Sequence, residues 1–327
     1  MQVDVSRRSA LAHWVKVCSV DRTRGSRLIA GGIALVAFGI LATVAIGWDR
    51  GSVEATGKVD PAMVAASEAA KARAAIPTAA PTPTGDPTEL PSAPPQPQVV
   101  TKNPIYRVGR LTASRCQEPE YEPTSVANVR AYYAEFVACL DKAWAPAIRK
   151  AGFNFVSPKL VVSAGQSPSS PCDSLDSVAY YCDGAIYMNA SVDIKEYQRY
   201  DQALTLAYMA FTIGHEYGHH VQELTGIVAA RFQRRSTING VAATLEESRR
   251  LELQASCLSG VYFGADRDWL LAGADWLNNF EYVVGNSEDR ERDHGSRANH
   301  TYWSNAGFDA ADPAACNTYT AGSALVS

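Results

Sequence analysis

The segment 201–226 constrains the fold of this chain more than any other, because it combines a long apolar run with a cluster of ionisable side chains. Its sequence is DQALTLAYMAFTIGHEYGHHVQELTG, in which three histidines and a glutamate fall within positions 215–220. Asp201 is a favoured N-cap residue and Gly226 is favoured just past a helix end, so the segment predicts one long helix. Ionisable groups in such apolar surroundings need partners from elsewhere in the fold.

The spacing of these side chains is typical of a metal-binding helix. Side chains four residues apart lie on one face, about 40° apart around the axis, so His215 and His219 can bind one ion. Glu216 lies about 100° from His215 and can take a proton from a water molecule that the ion activates. This is the HExxH arrangement of two zinc ligands and a general base. His220 lies five residues from His215, points elsewhere and is interpreted as structural.

A competing interpretation exists, because a bare HExxH pattern occurs by chance in roughly one chain per hundred of this length. In that alternative the helix is amphipathic and its histidines are solvated or satisfied within the core. The apolar residues before the motif, ALTLAYMAFTI, favour the metal site. Ionisable groups next to such a run need a charged or hydrogen-bonding partner.

A catalytic zinc site also needs a third protein ligand and an open position for water. The continuation HExxHxxGxxH is absent, because Gln222 and Thr225 stand where glycine and histidine would be. We therefore expect the third ligand from a facing helix, predicted over 241–263.

The predicted helix 241–263 offers three carboxylates. Glu246 and Glu247 have polar neighbours and are interpreted as a solvated face, whereas Glu252 precedes a mostly apolar stretch. The competing interpretation of Glu252 is an ion pair with Arg249. The residues alone favour Glu252 as the ligand without excluding that pair.

Residues 28–48 form an uncharged apolar run of 21 positions, LIAGGIALVAFGILATVAIGW. At about 1.5 Å per residue the run spans a bilayer core of roughly 30 Å, so it predicts a transmembrane helix. A cleaved signal peptide is the alternative, but the run is long for one and no clear cleavage site follows. Basic residues concentrate in 1–27, which predicts a cytoplasmic N-terminus and a single-pass protein of the cell membrane with its later residues outside the cytoplasm.

The remainder divides into a linker and one folded domain. Residues 49–104 are rich in proline and alanine and cannot bury enough apolar surface to offset their ordering entropy, so they predict a disordered linker. Residues 105–327 predict an α+β domain, mostly helical with a small sheet. Helices are predicted over 125–152, with a bend or break near Pro146, and over 201–226, 241–263 and 266–286; strands are predicted near 159–164 and 185–189.

Charge and cysteine content narrow the function classes further. The net charge is -4 and no basic block is present, so we expect no nucleic-acid partner. Six cysteines follow the apolar run, at positions 116, 139, 172, 182, 257 and 316. Outside the cytoplasm an even number favours three disulfides, in any of 15 pairings, with six buried free thiols as the alternative.

Several motifs in order resemble one family, the neutral zinc metallopeptidases of bacteria, which look gluzincin-like. The motifs are AYYCDGAIYM at 179–188, GHEYGHHVQ at 214–222, RLELQASCLSGV at 250–261, DHGS at 293–296 and DPAACNTY at 312–319. The likeness covers most of 105–327 and implies a zincin-like domain with one zinc ion. It also implies three disulfides, Cys116–Cys139, Cys172–Cys182 and Cys257–Cys316.

The resemblance further implies roles for single residues. Glu252 is the third zinc ligand, and Ser256 stands where the family has an aspartate that hydrogen-bonds a ligand histidine. A serine adds no negative charge, and such outer-shell changes typically cost about 10- to 100-fold in affinity or activity. His294 is assigned only a contact to substrate or transition state. The strand 185–189 is expected at the sheet edge over the zinc, where an extended peptide could pair with it.

Together these observations predict a membrane-anchored zinc peptidase that acts on a protein or peptide substrate, with Glu216 as general base. The alternative is a catalytically weak or inactive zinc-binding domain that serves as a peptide-binding or protein-binding module at the cell surface. Replacement of Glu216 by glutamine separates the two, because only the peptidase needs the base. A closed structural zinc site is a third interpretation and needs a fourth protein ligand.

Overall fold

The computed structural model describes residues 96–327 except 166, 168, 169, 173–176, 271–273, 288, 290 and 291. The helices of this part are α1 Gln98–Thr101, α2 Val126–Lys150, α3 Ala190–Arg199, α4 Gln202–Leu224, α5 Ile227–Arg235, α6 Val241–Ala265, α7 Arg267–Leu270, α8 Ala274–Gly285 and α9 Arg297–Ala310. The strands are β1 Lys159–Ser163, β2 Ala179–Cys182 and β3 Ala185–Asn189. The predicted α+β class, mostly helical with a small sheet, is confirmed.

Local sequence explains where the long helices begin and end. The Asp201 side chain accepts a hydrogen bond from the Leu204 N–H at 2.9 Å, so it caps α4 as predicted. Gly226, just beyond α4, has a φ of 77°. Helix α2 continues through Pro146, although the sequence predicted a bend or break there. The residues around this proline, including Trp144 and Ile148, are buried, and their packing offsets the one main-chain hydrogen bond that proline removes.

The three strands form a sheet in the order β1-β3-β2. Strand β3 pairs with β1 in parallel and with β2 antiparallel. Asp183 and Gly184 connect β2 to β3 and both have positive φ, 51° and 75°, as a two-residue hairpin turn of type I′ requires. The expectation that 185–189 is the edge strand is therefore wrong: this strand is central, and β2 is the edge beside α4. The Asp-Gly turn folds β2 onto β3 so that these two strands pair. The composition of a strand does not determine whether it lies at the centre or at the edge of the sheet.

Small residues let α4 and α6 approach closely. A Cβ atom at position 218 would lie 2.6 Å from the main-chain oxygen of Ala255, so only glycine fits there. Gly214, one turn earlier on α4, faces Ser259, one turn later on α6. This contact places the middle of α6 directly against the part of α4 that carries the histidines.

The cysteines pair as the family resemblance implied. The Cα atoms are 6.0 Å apart in Cys116–Cys139, 6.4 Å in Cys172–Cys182 and 5.5 Å in Cys257–Cys316, within the range that a disulfide spans. The last bridge ties the segment after α9 to α6, beside Ser256.

The part of the predicted linker that the structure describes, residues 96–104, packs against the domain. Val100 of α1 is buried, and the Asn103 side-chain amide donates to the Thr225 carbonyl at 3.0 Å. Both side chains lie between elements of the domain and are shielded from solvent. These residues therefore pack onto the domain that was predicted over 105–327.

The predicted localisation as a single-pass membrane protein requires correction. Among the described residues no helix is both long enough and apolar enough to cross a bilayer. The segment 28–48, on which the prediction depended, and the predicted cytoplasmic segment 1–27 lie outside the described residues.

Candidate metal centre

Three side chains from two helices converge at the contact between α4 and α6. The Nε2 atoms of His215 and His219 lie 3.1 Å apart. One carboxylate oxygen of Glu252 lies 3.4 Å from the first nitrogen and 3.0 Å from the second. All three residues are buried. The fold therefore brings together the two histidines of one helix and the glutamate of its neighbour.

The size and chemistry of this triangle fit a zinc ion. Ligands that bind zinc tetrahedrally at about 2.0–2.2 Å stand roughly 3.3–3.6 Å apart, slightly more than the 3.0–3.4 Å observed between the three atoms. Neither oxygen of Glu252 has a hydrogen-bond partner of normal geometry among the described residues. A buried carboxylate without hydrogen-bond partners and two imidazole nitrogens 3.1 Å apart that face the same point are the surroundings that a cation satisfies.

The protonation states of the three groups differ because burial and neighbouring charges shift their pKa values in different directions. Burial lowers the pKa of His215 to about 3, which leaves its imidazole neutral. Burial alone would raise the pKa of Glu252, but His219 and His294 hold it well below its usual range. Burial alone would lower the pKa of His219, yet the nearby Glu252 carboxylate raises it. The site thus holds a carboxylate and a neutral His215, as zinc ligation requires.

Glu216 lies beside this triangle. Its side chain is fully buried, and neither carboxylate oxygen has a hydrogen-bond partner among the described residues. Burial raises the pKa of Glu216 to about 8, and the neighbouring His219 and the Tyr181 main-chain N–H oppose that increase. The carboxylate oxygens of Glu216 are available to bind a water molecule, and a cation held by the adjacent triangle would lower the pKa of Glu216 and favour the ionised form that can deprotonate that water.

The edge strand β2 runs past Glu216. The Asn189 N–H donates to the Val178 carbonyl at 2.9 Å, so the alternation of antiparallel pairing turns residues 178, 180 and 182 toward β3. The main-chain groups of Ala179 and Tyr181 consequently point away from the sheet. The N–H of Tyr181 accordingly faces Glu216 and lowers the pKa of its carboxyl, without forming a hydrogen bond of normal geometry.

His294 reaches the same site from the loop before α9. Its Nε2 lies 3.6 Å from a carboxylate oxygen of Glu252 and has no hydrogen-bond partner among the described residues. Its Nδ1 lies 2.6 Å from Asp293, and its main-chain N–H donates to Asp289 at 2.7 Å. Burial would lower the pKa of His294, but the carboxylates of Glu252 and Asp293 raise it to about 9. The structure thus places this histidine next to the predicted third ligand.

Ser256 lies behind His215, and its Oγ is 2.9 Å from the His215 Nδ1. A residue that the sequence did not indicate holds His219: the Gln222 Oε1 lies 2.9 Å from the His219 Nδ1. Gln254 in turn contacts Gln222 at 3.0 Å, and both glutamines are fully buried. The signal that could have found them is their place in buried helices, because a buried amide must have partners.

His220 lies away from the triangle. Its Nδ1 is 2.9 Å from the Tyr181 hydroxyl, and its Nε2 is 2.7 Å from the Val156 carbonyl. Both ring nitrogens therefore have partners outside the site.

The polar residues around Glu252 differ from expectation in one respect. Glu247 was expected on a solvated face but is buried, and it accepts a hydrogen bond from Arg234 of α5 at 3.0 Å. Glu246 pairs with Arg250 at 2.7 Å. Arg249 donates to the main-chain oxygens of residues 326 and 292, so it is not the partner of Glu252.

The amino-acid sequence is similar to that of several known proteins. A family model described as "Putative neutral zinc metallopeptidase" matches residues 108–279. "Uncharacterized protein YpfJ" of Escherichia coli (strain K12) is 30% identical over 203 residues, which cover 56% of this chain and 69% of that protein. "Uncharacterized protein Rv2575" of Mycobacterium tuberculosis (strain ATCC 25618 / H37Rv) is 26% identical over 134 residues, 34% of this chain and 44% of that protein. No solved structure matches the chain significantly.

Proposed function

This chain belongs to the neutral zinc metallopeptidase family, and on that premise we propose that it is a zinc-dependent peptidase. His215, His219 and Glu252 would hold one zinc ion. Glu216 would act as general base, and a protein or peptide would be the substrate. The proposal includes a zincin-like domain, in which a metal-binding helix lies under the edge of a small sheet.

One observation carries the proposal. The carboxylate of Glu216 has no hydrogen-bond partner of normal geometry among the described residues, and it interacts electrostatically with His219 and Glu252, two of the three residues whose ligand atoms converge. A purely structural zinc site has no use for a free buried carboxylate next to it. The cost of burying that group is consistent with a catalytic role.

The chemistry of the reaction divides between the ion and the protein. When bound, zinc supplies Lewis acidity, which polarises a carbonyl group and lowers the pKa of water. Glu216 accepts a hydrogen bond from the attacking water and takes its proton as the water oxygen attacks the carbonyl carbon. The same carboxyl group then gives that proton to the leaving amine as the peptide bond breaks.

Two further elements would position the substrate. The outward main-chain groups of Ala179 and Tyr181 on β2 would pair with an extended peptide, which adds a strand to the sheet edge. His294, whose Nε2 faces the site, would contact the substrate or the transition state. These contacts would place the scissile bond between Glu216 and the metal ligands.

The test is cleavage of a peptide library by the purified protein, with zinc and with a chelator. We expect cleavage that the chelator abolishes and zinc restores. Glu216→Gln should retain zinc but lose about 100-fold or more of the activity, the usual range for removal of a general base. Glu135→Gln, an exposed change on α2, is the matched control. Cleavage that survives metal removal, or an undiminished Glu216→Gln variant, would rule the proposal out.

A second candidate, a zinc-binding module with little or no activity, draws support from Ser256. This residue gives His215 a neutral partner instead of a carboxylate, which weakens the ligand. In that case the protein would bind zinc and peptides, and Glu216→Gln would change neither. Measurement of peptide binding alongside cleavage separates the two candidates.

A further inference from the structure

We infer that Gln222 and Gln254 are positioning residues that hold His219 in the tautomer required for metal binding. The inference rests on the proposed function, because it concerns the same site. Its basis is a chain of hydrogen bonds that begins at His219, passes through two buried amides and ends on main-chain carbonyls.

The first amide fixes the proton on His219. The Gln222 Nε2 lies 2.8 Å from the Leu251 carbonyl, which can only accept a hydrogen bond, so the amide nitrogen must be on that side. The Gln222 Oε1 therefore faces the His219 Nδ1, 2.9 Å away. An amide oxygen can only accept, and so the Nδ1 of His219 carries the hydrogen. The Nε2 of His219, 3.0 Å from Glu252, then presents its lone pair toward the site when the imidazole is neutral.

The side-chain amide of Gln254 fixes the orientation of the Gln222 amide. The Gln254 Nε2 lies 2.9 Å from the Cys316 carbonyl, which again can only accept. Its Oε1 therefore faces the Gln222 Nε2 at 3.0 Å. The Gln254 Nε2 also donates to the Tyr106 hydroxyl at 2.6 Å, which itself donates to the Val100 carbonyl at 3.0 Å. Every donor in this series of hydrogen bonds points away from the metal site.

Burial makes this orientation strict. Gln222 and Gln254 have no exposed surface, so water cannot replace a lost partner. A reversed Gln222 amide would place its oxygen against two acceptors, the Leu251 carbonyl and the Gln254 Oε1, and would leave all three oxygens without a donor. The two glutamines thus allow one tautomer of His219 only.

His215 has no comparable restraint. Its Nδ1 contacts the Ser256 hydroxyl, which can donate or accept. Serine consequently permits both tautomers of His215, whereas the amides select one tautomer of His219. The two ligand histidines of α4 are therefore positioned by different means, and the fixed one is His219.

The experiment measures histidine tautomers by nitrogen NMR in the zinc-free protein at alkaline pH, where the imidazoles are neutral. It also measures zinc affinity by chelator competition. Wild-type His219 should carry its hydrogen on Nδ1. Gln222→Met, similar in size but without the acceptor, should shift His219 toward the Nε2–H form and weaken zinc binding about 10- to 100-fold. Gln254→Met should act in the same direction but less, because Leu251 still anchors Gln222.

Gln202→Met, at the exposed start of α4, is the matched control and should change neither quantity. The inference is overturned if wild-type His219 carries its hydrogen on Nε2, or if folded Gln222→Met keeps both the tautomer and the zinc affinity. Should Gln222→Met fail to fold, the wild-type tautomer and Gln254→Met decide. Absence of zinc binding by the wild type would refute the proposed function, whereas the tautomer in zinc-free protein tests the hydrogen-bond chain by itself.

Discussion

The Nε2 of His219 on α4 lies 3.0 Å from a carboxylate oxygen of Glu252 on α6. Both side chains are buried, and this contact joins two helices that are separate in sequence. A cation bound by both residues would account for a buried carboxylate at this helix contact.

The first prediction concerns Glu252. We expect Glu252→Gln to weaken zinc binding by more than the roughly 100-fold that an outer-shell change can cost, because a charged ligand itself is lost. Zinc content after dialysis and chelator competition measure the effect. Glu246→Gln, on the same helix and paired with Arg250, is the control. Full zinc content in Glu252→Gln would exclude this residue as a ligand.

The second prediction concerns Ser256. A carboxylate at this position would accept the His215 Nδ1–H and make the imidazole a stronger ligand. We therefore expect Ser256→Asp to strengthen zinc binding by about 10-fold or more, and to destabilise the zinc-free protein because the new charge is buried. Chelator competition and thermal unfolding without metal measure the two effects. Weaker zinc binding in a folded variant would contradict this account of Ser256.

The third prediction concerns the helix contact. In Gly218→Ala the added methyl group would lie 2.6 Å from the Ala255 main-chain oxygen, so α4 and α6 must move apart. We expect a loss of about 1–3 kcal/mol in the free energy of unfolding, together with weaker zinc binding. Gly285→Ala, where a Cβ atom meets nothing within 4 Å, is the control. Equal unfolding and zinc affinity for both variants would show that the close approach is dispensable.

The fourth prediction concerns pH. Burial raises the pKa of Asp193 from 3.8 to about 7, although the Tyr133 hydroxyl donates to it. Because the folded pKa exceeds the unfolded value, stability from this group is fully present below pH 3.8 and is lost as pH rises through about 7. The loss amounts to roughly 4 kcal/mol, as an order of magnitude.

In Asp193→Asn the free energy of unfolding should lack this decline with rising pH. Denaturant unfolding of zinc-free protein at several pH values, compared with wild type, measures the difference. Asp201→Asn, which keeps a good helix cap, controls for loss of a carboxylate. Parallel pH profiles for wild type and Asp193→Asn would contradict the prediction.

The sequence predicts well what depends on neighbours along the chain. Helix α4 was expected over 201–226 and spans Gln202–Leu224, because its cap residues and apolar run are local. The expected helix over 241–263 ends only two residues later, at Ala265. The placement of Glu252 beside the two histidines also agrees with expectation, as does the burial that its apolar neighbours implied.

What the sequence left open depends on partners that are distant in the chain. Strand β2 lies at the sheet edge because the hairpin and β1 take opposite sides of β3, and periodicity carries no information on that choice. Glu247 is buried because Arg234 comes from α5, a helix that the sequence did not indicate. Gln222 and Gln254 likewise acquire their roles only when α4 and α6 meet.

The Cys257–Cys316 bridge has a consequence for how the protein matures. Cys316 supplies the carbonyl that orients Gln254, and the bridge binds that segment to α6. In a newly made chain with both thiols still reduced, the segment that carries Cys316 would not be covalently held to α6. We therefore expect oxidation to precede stable metal uptake during biogenesis, so that a Cys257→Ala, Cys316→Ala double variant would acquire zinc more slowly and release it faster than wild type.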